Sequence, residues 1–248
     1  MMISDRHRAI LEHLQADPEI SVKSLATMLC VSEPTVRRDF TELHKKGFIT
    51  KKYGGAILNR VSADSEIPFM IRENEKSAVK SAMGAMAAEL VEDGMVVMLD
   101  GSTSAYHLVP YLAKKKDLIV VTSGAKTALA LAEANIRTFS TGGQMITNSF
   151  SYVGESAESF VRKINADILF FSCHGLTEDG RMTERIIEEA NLRRVMFGSC
   201  KKKILLCDSS KFGRNCFYNM GSVSELDGII AETALPPKIA EMMKEKRG

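Results

Sequence analysis

What this chain has little of narrows the reading before any motif is considered. Six prolines in 248 residues, with no low-complexity tract, leave no room for long disordered segments. The net charge of +2 is too small to argue for any partner by itself. The five cysteines, Cys30, Cys173, Cys200, Cys207 and Cys216, are an odd number and form no C-x-x-C. They exclude a disulfide framework and a zinc ribbon, and they read as reduced thiols of the cytoplasm, Cys173 and Cys207 at the ends of apolar runs. No apolar stretch approaches the roughly 18 residues of a membrane span, and Asp5, Arg6 and Arg8 interrupt the start, so neither a membrane anchor nor a signal peptide is expected. Neither G-x-G-x-x-G nor G-x-x-x-x-G-K-[ST] occurs, which gives no indication of a dinucleotide cofactor or a nucleoside triphosphate. The sequence carries no metal-ligand pattern.

What is present suits two soluble globular domains. The hydrophobic fraction of 45% and charged fraction of 26% are ordinary, and the length holds a small domain plus a larger one, each able to bury a core. Up to residue 60 there are ten Lys/Arg against seven Asp/Glu, whereas the remainder has 23 against 24. The positive excess is N-terminal. Domains are expected at 1–58 and 77–248, with a polar linker over 59–76 that has one docking point at Pro68-Phe69.

The chain is organised around residues 30–46. Ser32 is an N-cap before Glu33 and Pro34, and Gly47 stands where a helix needs a left-handed stop. Val36, Phe40 and Leu43 recur at i, i+4 and i+7 and form one apolar stripe. The opposite face carries Pro34, Arg38, Thr41 and Lys45, with Thr35 and Arg37 on its flanks and Lys46 a turn later, a short-polar and cationic surface suited to bases and phosphates. Asp39, at the edge of the stripe, reads as an orienting salt-bridge partner. Ahead of this helix, Ser4 caps a first helix (Ile10, Leu11, Leu14 inward) ended by Ala-Asp-Pro-Glu at 16–19, and Ser21 caps a second (Val22, Leu25, Ala26, Leu29 inward). Cys30-Val31 is the turn between helices two and three. After Gly47, residues 48–50 read as a strand, 51–55 as a turn tip bearing Lys51, Lys52 and Tyr53, and 56–58 as the returning strand. The whole is a winged helix-turn-helix. Basic helix faces and basic hairpins also occur as merely solvated surfaces.

These residues carry a specific resemblance. The run V-S-E-P-T-V-R-R-D-F-x-E-L-x-x-x-G at 31–47, with Y-G-G-A at 53–56, resembles the N-terminal domain of the DeoR family of bacterial sugar-metabolism regulators. The resemblance implies operator contacts by Ser32, Thr35, Arg37 and Arg38. The family's usual wing arginine and histidine are Lys51 and Tyr53 here, and lysine keeps the charge but loses the bidentate fork.

Beyond residue 76 the pattern alternates: helix 77–92, strand 95–99, helix 105–113, strand 118–121, helix 125–134. Strands at 168–171, 203–207 and 228–230 follow, with helices near 155–164, 187–198 and 237–246. This predicts an α/β fold with a mainly parallel sheet covered on both faces. Ligands of such sheets bind at the carboxyl ends of strands. Four loops qualify: Asp100-Gly101-Ser102-Thr103-Ser104, Thr122-Ser123-Gly124, Thr141-Gly142-Gly143 and Asp208-Ser209-Ser210-Lys211-Phe212-Gly213. The resemblance to the DeoR family continues through them and through Pro68-Phe69, Arg72, Lys76 and E-E-A at 188–190. It implies a domain similar to ribose-5-phosphate isomerase and CoA-transferase folds that binds phosphorylated sugars without transforming them. By position it implicates Asp100, Ser102, Thr103, Ser104, Glu188 and Lys211, and the loops add Gly101, Ser123, Gly142 and Gly143. His174, which with Cys173 stands where many members have small residues, reads as a packed or hydroxyl-bonding residue of the pocket rather than a catalytic base. Electrostatics assigns Asp100 to sugar hydroxyls, and the phosphate to Ser102–Ser104 with Lys211. Glu188 and Glu189 read equally as an acidic pair favoured by a helix dipole.

The expected function is a regulator binding double-stranded operator DNA, a repressor released by a sugar phosphate. A single winged helix reads few base pairs, so a homodimer or homotetramer on repeated half-sites is expected. A sugar-phosphate isomerase with an accessory DNA-binding domain is the alternative, with Asp100, Glu188 and Lys211 as its acid–base groups. A helix-turn-helix used only for protein contact would leave Arg37, Arg38, Lys51 and Lys52 without a role.

Overall fold

The computed structural model describes residues 5–17, 20–45, 48–58 and 68–245. The chain divides into two compact units between Asn74 and Glu75. The first contains α1 (Asp5–Ala16), α2 (Val22–Met28), α3 (Glu33–Lys45), β1 (Ile49–Lys52), β2 (Gly55–Leu58) and α4 (Phe69–Asn74). Ile10, Leu11 and Leu14 of α1, Val22 and Leu25 of α2, and Val36, Phe40 and Leu43 of α3 close on one core with Ile49 of the wing. Each such side chain contributes roughly 1.5–3 kcal/mol on burial, which is what makes three short helices stable together. Cys30 takes a left-handed φ of 52° in the turn before α3. The expected cap at Ser4, the stop over 16–19 beyond Asp17, Lys46 and the stop at Gly47 lie outside the described residues. So does the first part of the expected linker, 59–67. Its end is not a linker: α4 is helical, and Ile71 joins the first unit's core. The expected turn over 51–55 is tighter than the sequence suggests. Lys51 and Lys52 belong to β1, Lys52 pairs with Gly55, and only Tyr53-Gly54 turn, with Gly54 at φ 76°.

The second unit runs through α5 (Ser77–Ala88), β3 (Val96–Leu99), α6 (Thr103–Tyr106), α7 (Val109–Leu112), β4 (Ile119–Thr122), α8 (Ala125–Glu133), β5 (Arg137–Ser140), β6 (Gln144–Ile146), β7 (Ser151–Val153) and α9 (Glu155–Val161). It continues with β8 (Ala166–Phe171), β9 (Gly175–Leu176), β10 (Arg181–Glu184), α10 (Ile187–Gly198), β11 (Cys200–Leu206), β12 (Tyr218–Ser222), β13 (Gly228–Ile230) and α11 (Pro237–Glu245). Six strands form a parallel sheet in the order β13-β11-β8-β3-β4-β5. Alternation within each strand sends Val97, Leu99, Val120, Ile168 and Phe170 to one face, where they meet Met83, Leu108, Leu112 and Leu131. Met98, Val121, Leu169 and Phe171 point to the other, against Val161, Leu192 and Met196. Both faces are covered, which is why these strands read as unbroken apolar runs.

The helix expected over 105–113 is broken into α6 and α7, the second with Pro110 in its first turn. Proline has no N–H to give to the carbonyl four residues earlier, so the ladder cannot continue through it. An antiparallel hairpin of β6 and β7 and a three-stranded sheet, β12-β10-β9, flank the main sheet. Their strands are short and polar, as in Arg-Met-Thr-Glu of β10, and gave no apolar run to detect.

Candidate functional site

The first unit presents the cationic face of α3. Val36 and Leu43 are fully buried, and Arg37, Arg38 and Lys45 on the far side are exposed. The Ser32 hydroxyl lies 2.9 Å from Thr35 Oγ1, and its carbonyl accepts from Thr35 N at 3.0 Å, so both residues form the capped start of the helix. Arg37 Nη2 reaches Glu33 at 3.4 Å, an i,i+4 pair in solvent. Lys51 Nζ donates to Thr41 Oγ1 at 3.0 Å and so ties the wing to the helix. Lys52 and Tyr53 are exposed, Tyr53 fully so at the wing tip. Asp39 does what its position implied. It is 1% exposed and accepts from Arg6 Nε at 2.6 Å and Arg6 Nη2 at 2.9 Å, with His7 Nε2 at 3.1 Å. Burial pushes its carboxyl up, and the Arg6 and His7 contacts more than offset that, holding it below its ordinary value. α3 is therefore fixed to α1 by a buried carboxylate one residue from Arg38.

In the second unit the loops leaving β3, β4, β8 and β11 converge on a buried polar network. Its centre is Arg193 of α10, 5% exposed. Arg193 Nε donates to Asp100 Oδ2 at 2.8 Å and Nη2 to Glu189 Oε2 at 3.2 Å. Nη1 lies 2.8 Å from Glu184 Oε1, an ionic contact without hydrogen-bond alignment. Glu184 in turn holds His174 Nδ1 at 2.5 Å. Burial raises the Glu184 carboxyl, yet Arg193 and His174 overcome it and bring the value to about 2. Beside this cluster, Lys211 Nζ donates to Ser172 Oγ at 2.6 Å and lies 3.6 Å from Asp208. Lys76 Nζ reaches the same Asp208 at 3.3 Å. Burial lifts the Asp208 carboxyl, and Lys211, Ser210 and Lys76 bring it down to about 2. Gly101, Ser123, Ser151, Glu189 and Arg193 line a crevice with room for about one water. Glu189 Oε1 and Ser104 Oγ are buried without a hydrogen-bond partner among the described residues.

The residues singled out from sequence fall into different roles. Lys211, Ser123 and Gly101 lie in or beside the network. His174 is part of it, through Glu184. Asp100 is present but turned inward: Oδ1 accepts from Ser102 N at 3.0 Å, Oδ2 from Ser172 N at 3.1 Å as well as from Arg193, and the residue is 1% exposed. Its assignment to sugar hydroxyls does not hold in this arrangement, because both oxygens are occupied. Ser102 caps α6 by accepting from Ala105 N at 3.1 Å, while Thr103 and Ser104 are buried in that first turn. Gly142 is open and left-handed. Gly143 backs onto β7, where an added Cβ would stand 2.5 Å from the Val153 carbonyl. Glu188 is exposed, whereas its neighbour Glu189 points inward to Arg193. Arg193, Glu184, Ser172 and Asp208 were not singled out as contacts. Arg193 had a signal: with Glu189 four residues before it and Met196 three after, a charge pair sits on the apolar stripe of α10, where only mutual pairing is tolerated.

Comparison with known proteins gives the same two-part division. Residues 6–61 match the family described as DeoR-like helix-turn-helix domain, and residues 75–233 match the DeoR C terminal sensor domain. The chain is 30% identical to the HTH-type transcriptional regulator YulB of Bacillus subtilis, over all of this chain and 95% of that one. It is 26% identical to the glycerol-3-phosphate regulon repressor of Escherichia coli, over 99% of this chain and 97% of that one. Among solved structures, ribose 5-phosphate isomerase A of Methanocaldococcus jannaschii aligns with 55% of this chain and 54% of its own, at a TM-score of 0.42 and 14% identity. With a cationic winged helix and a sensor sheet in one chain, each matched by its own half of the same family, the protein belongs to the DeoR family of transcriptional regulators.

Proposed function

We propose that this regulator is a repressor of a sugar-utilisation operon, working in the cytoplasm as a homodimer or homotetramer on double-stranded operator DNA and released by a phosphorylated sugar. The observation that carries the effector reading is the pairing of Lys211 with Ser172 and Asp208, in the same polar network as a crevice whose buried Glu189 Oε1 has no donor among the described residues. Lys211 and Lys76 stand on either side of Asp208 as two ammonium groups for a phosphate, and Glu189 accepts from a sugar hydroxyl. The name of the Escherichia coli relative, a glycerol-3-phosphate regulon repressor, supports a phosphorylated polyol or sugar. A crevice this narrow admits such a ligand only as its loops part, and that movement is the source of differential binding between two arrangements. In the first unit, Ser32, Thr35, Arg37 and Arg38 face the bases and nearby phosphates, and Lys51, Lys52 and Tyr53 follow the backbone and minor groove.

The protein has no useful turnover in this reading. An aldose–ketose isomerase needs a carboxylate free to take a proton from carbon. Asp100, Glu184 and Glu189 are all ion-paired with Arg193, which makes each a weak base even though Glu189 Oε1 faces the crevice, and Glu188 faces solvent. The test titrates phosphorylated and unphosphorylated sugars into the protein–operator complex, for wild type and Lys211→Ala. Release by the phosphorylated sugar in wild type alone supports the reading. Release of Lys211→Ala at the same concentration removes the lysine from the site. Aldose–ketose interconversion followed by NMR at roughly 1 per second or faster would replace the repressor with an enzyme.

A further inference from the structure

We infer that the effector carries an ammonium group as well as a phosphate. This rests on the phosphorylated-sugar reading above and names the class within it: an amino-sugar phosphate whose amine, rather than a hydroxyl, seats against Glu189. The buried network has two ends of opposite sign. At one end three carboxylates, those of Asp100, Glu184 and Glu189, pair with the single guanidinium of Arg193. His174 beside Glu184 adds at most one positive charge, so this end stays negative. At the other end Lys76 and Lys211 together face the one carboxylate of Asp208, so that end is positive. Hydrogen bonds join the two: Lys211 Nζ donates to Ser172 Oγ, Ser172 N and Arg193 Nε donate to Asp100 Oδ2, and Arg193 Nη2 donates to Glu189 Oε2.

Taken together, four carboxylates stand against the three fixed cations Arg193, Lys76 and Lys211. A phosphate settling between the two lysines brings roughly one to two further negative charges. Phosphate alone would leave a buried network short of positive charge, where low dielectric makes the shortage costly, and one ammonium on the same ligand makes it good. A place for that group exists. The Glu189 side chain is 5% exposed, its Oε1 has no hydrogen-bond partner among the described residues, and it lines a crevice with room for about one water. A primary ammonium is about that size and brings three N–H donors and no acceptor. Ser151, whose Oγ stands beside Gly101 in the same crevice, is a second acceptor. Arg193 lines the crevice too, but its charge is already outnumbered three to one. A hydroxyl would fit the space and supply no charge, and an acetamido group would neither fit nor supply it. Charge thus selects the amine over the hydroxyl, and volume selects it over the amide.

The experiment is isothermal titration calorimetry of the full chain. The probes are glucosamine 6-phosphate and galactosamine 6-phosphate, each beside its 2-hydroxy and its N-acetyl counterpart, and the two amines without phosphate. At least one amino-sugar phosphate is expected to bind at least tenfold more tightly than both of its phosphorylated counterparts, since a charge-assisted hydrogen bond replaces a neutral one. The unphosphorylated amines are expected not to bind detectably. Glu189→Gln keeps the shape and removes the charge, so it is expected to bring amine and hydroxyl within about threefold of each other. Circular dichroism checks that this variant is folded, and the comparison of probes on wild type decides without it. A hydroxyl or N-acetyl probe that binds wild type as tightly as its amine, or a preference for the amine that survives in folded Glu189→Gln, overturns the ammonium and leaves the phosphate reading in place. An unphosphorylated amine that binds as tightly as its phosphate overturns the phosphate reading instead. If none of the probes binds, the inference falls, and operator release by some other phosphorylated sugar shows that the phosphate reading stands without it.

Discussion

Replacing Arg193 by methionine removes a cation that three buried carboxylates, Asp100, Glu184 and Glu189, share. Met fills much of the space, so packing changes little and electrostatics sets the cost. Glu189 loses the one ion-pair partner it has among the described residues, Arg193 Nη2 at 3.2 Å. Left buried without the guanidinium, its carboxylate has lost its countercharge, a penalty of about 3–5 kcal/mol. Asp100 keeps the amides of Ser102 and Ser172, and Glu184 keeps His174, so each loses one charged contact of roughly 1.5–3 kcal/mol. Relief of the guanidinium's own desolvation offsets part of this. The net loss is about 4–6 kcal/mol, a large share of the 5–15 kcal/mol that holds a typical domain together. By calorimetry, the transition of larger enthalpy, that of the larger unit, should fall by roughly 10–20 °C. The loss is pH-dependent with a definite sign: Arg193 is one of the groups that hold the Glu184 carboxyl near 2, so the deficit is full above its ordinary value of 4.5 and shrinks as pH falls toward 2. Glu189→Gln in the same chain removes the orphaned charge and should recover about 3 kcal/mol. A Glu189→Gln/Arg193→Met protein no more stable than Arg193→Met, or an Arg193→Met protein that melts with wild type, would refute the account of this network.

In the first unit, Arg6→Ala takes two of the three contacts from the buried Asp39 carboxylate and leaves it to His7, whereas Asp39→Ala leaves an Arg6 side chain already 37% exposed that can turn to water. Hydrogen exchange across α3 should therefore accelerate more in Arg6→Ala, on the order of a hundredfold against about thirtyfold; the reverse order counts against the clamp. Arg38→Ala should cost about 1–3 kcal/mol of operator affinity and relax specificity at one position, while Lys52→Ala should weaken all sequences alike and reduce the salt slope by about one. Gel shifts at several salt concentrations separate the two. Gly101→Ala would place a Cβ 2.0 Å from Ser151 Oγ, so it should displace β7 at a cost of roughly 1–3 kcal/mol, read by thermal unfolding. Asp208 and Glu184 both sit near about 2 in the folded chain, below their ordinary 3.8 and 4.5. Their stabilisation is complete above those ordinary values and is lost as pH falls toward 2, where acid titration by circular dichroism should show the larger unit unfolding.

Much of this was legible in the sequence because the informative signals were local. The caps at Ser21 and Ser32, the stripe of Val36, Phe40 and Leu43, and the apolar runs of the parallel strands all follow from spacing along one segment. Asp39 could be assigned to a salt bridge from its place on the helix, though not to Arg6, 33 residues away. The candidate effector site was legible only as a set of loops. Which groups face inward depends on pairings over long separations, such as Arg193 with Asp100, 93 residues apart. Glu188 and Glu189 are chemically alike in sequence, and only the phase of α10 against the sheet distinguishes the exposed one from the buried one. The short strands of the flanking sheets carry no apolar period, so nothing local announced them.

Asp39 and Arg38 are neighbours with opposite duties, and that adjacency limits how the protein can be switched off. A helix pinned at its midpoint to α1 cannot roll about its own axis to hide its arginines without stranding a carboxylate in the core. The reading head is in effect a rigid die, always presenting the same stamp. In the homodimer or homotetramer proposed above, release from the operator then comes from the spacing and phase of two such dies along the DNA, since half-sites repeat about every 34–36 Å and a shift of a few ångströms puts one stamp out of step with its groove.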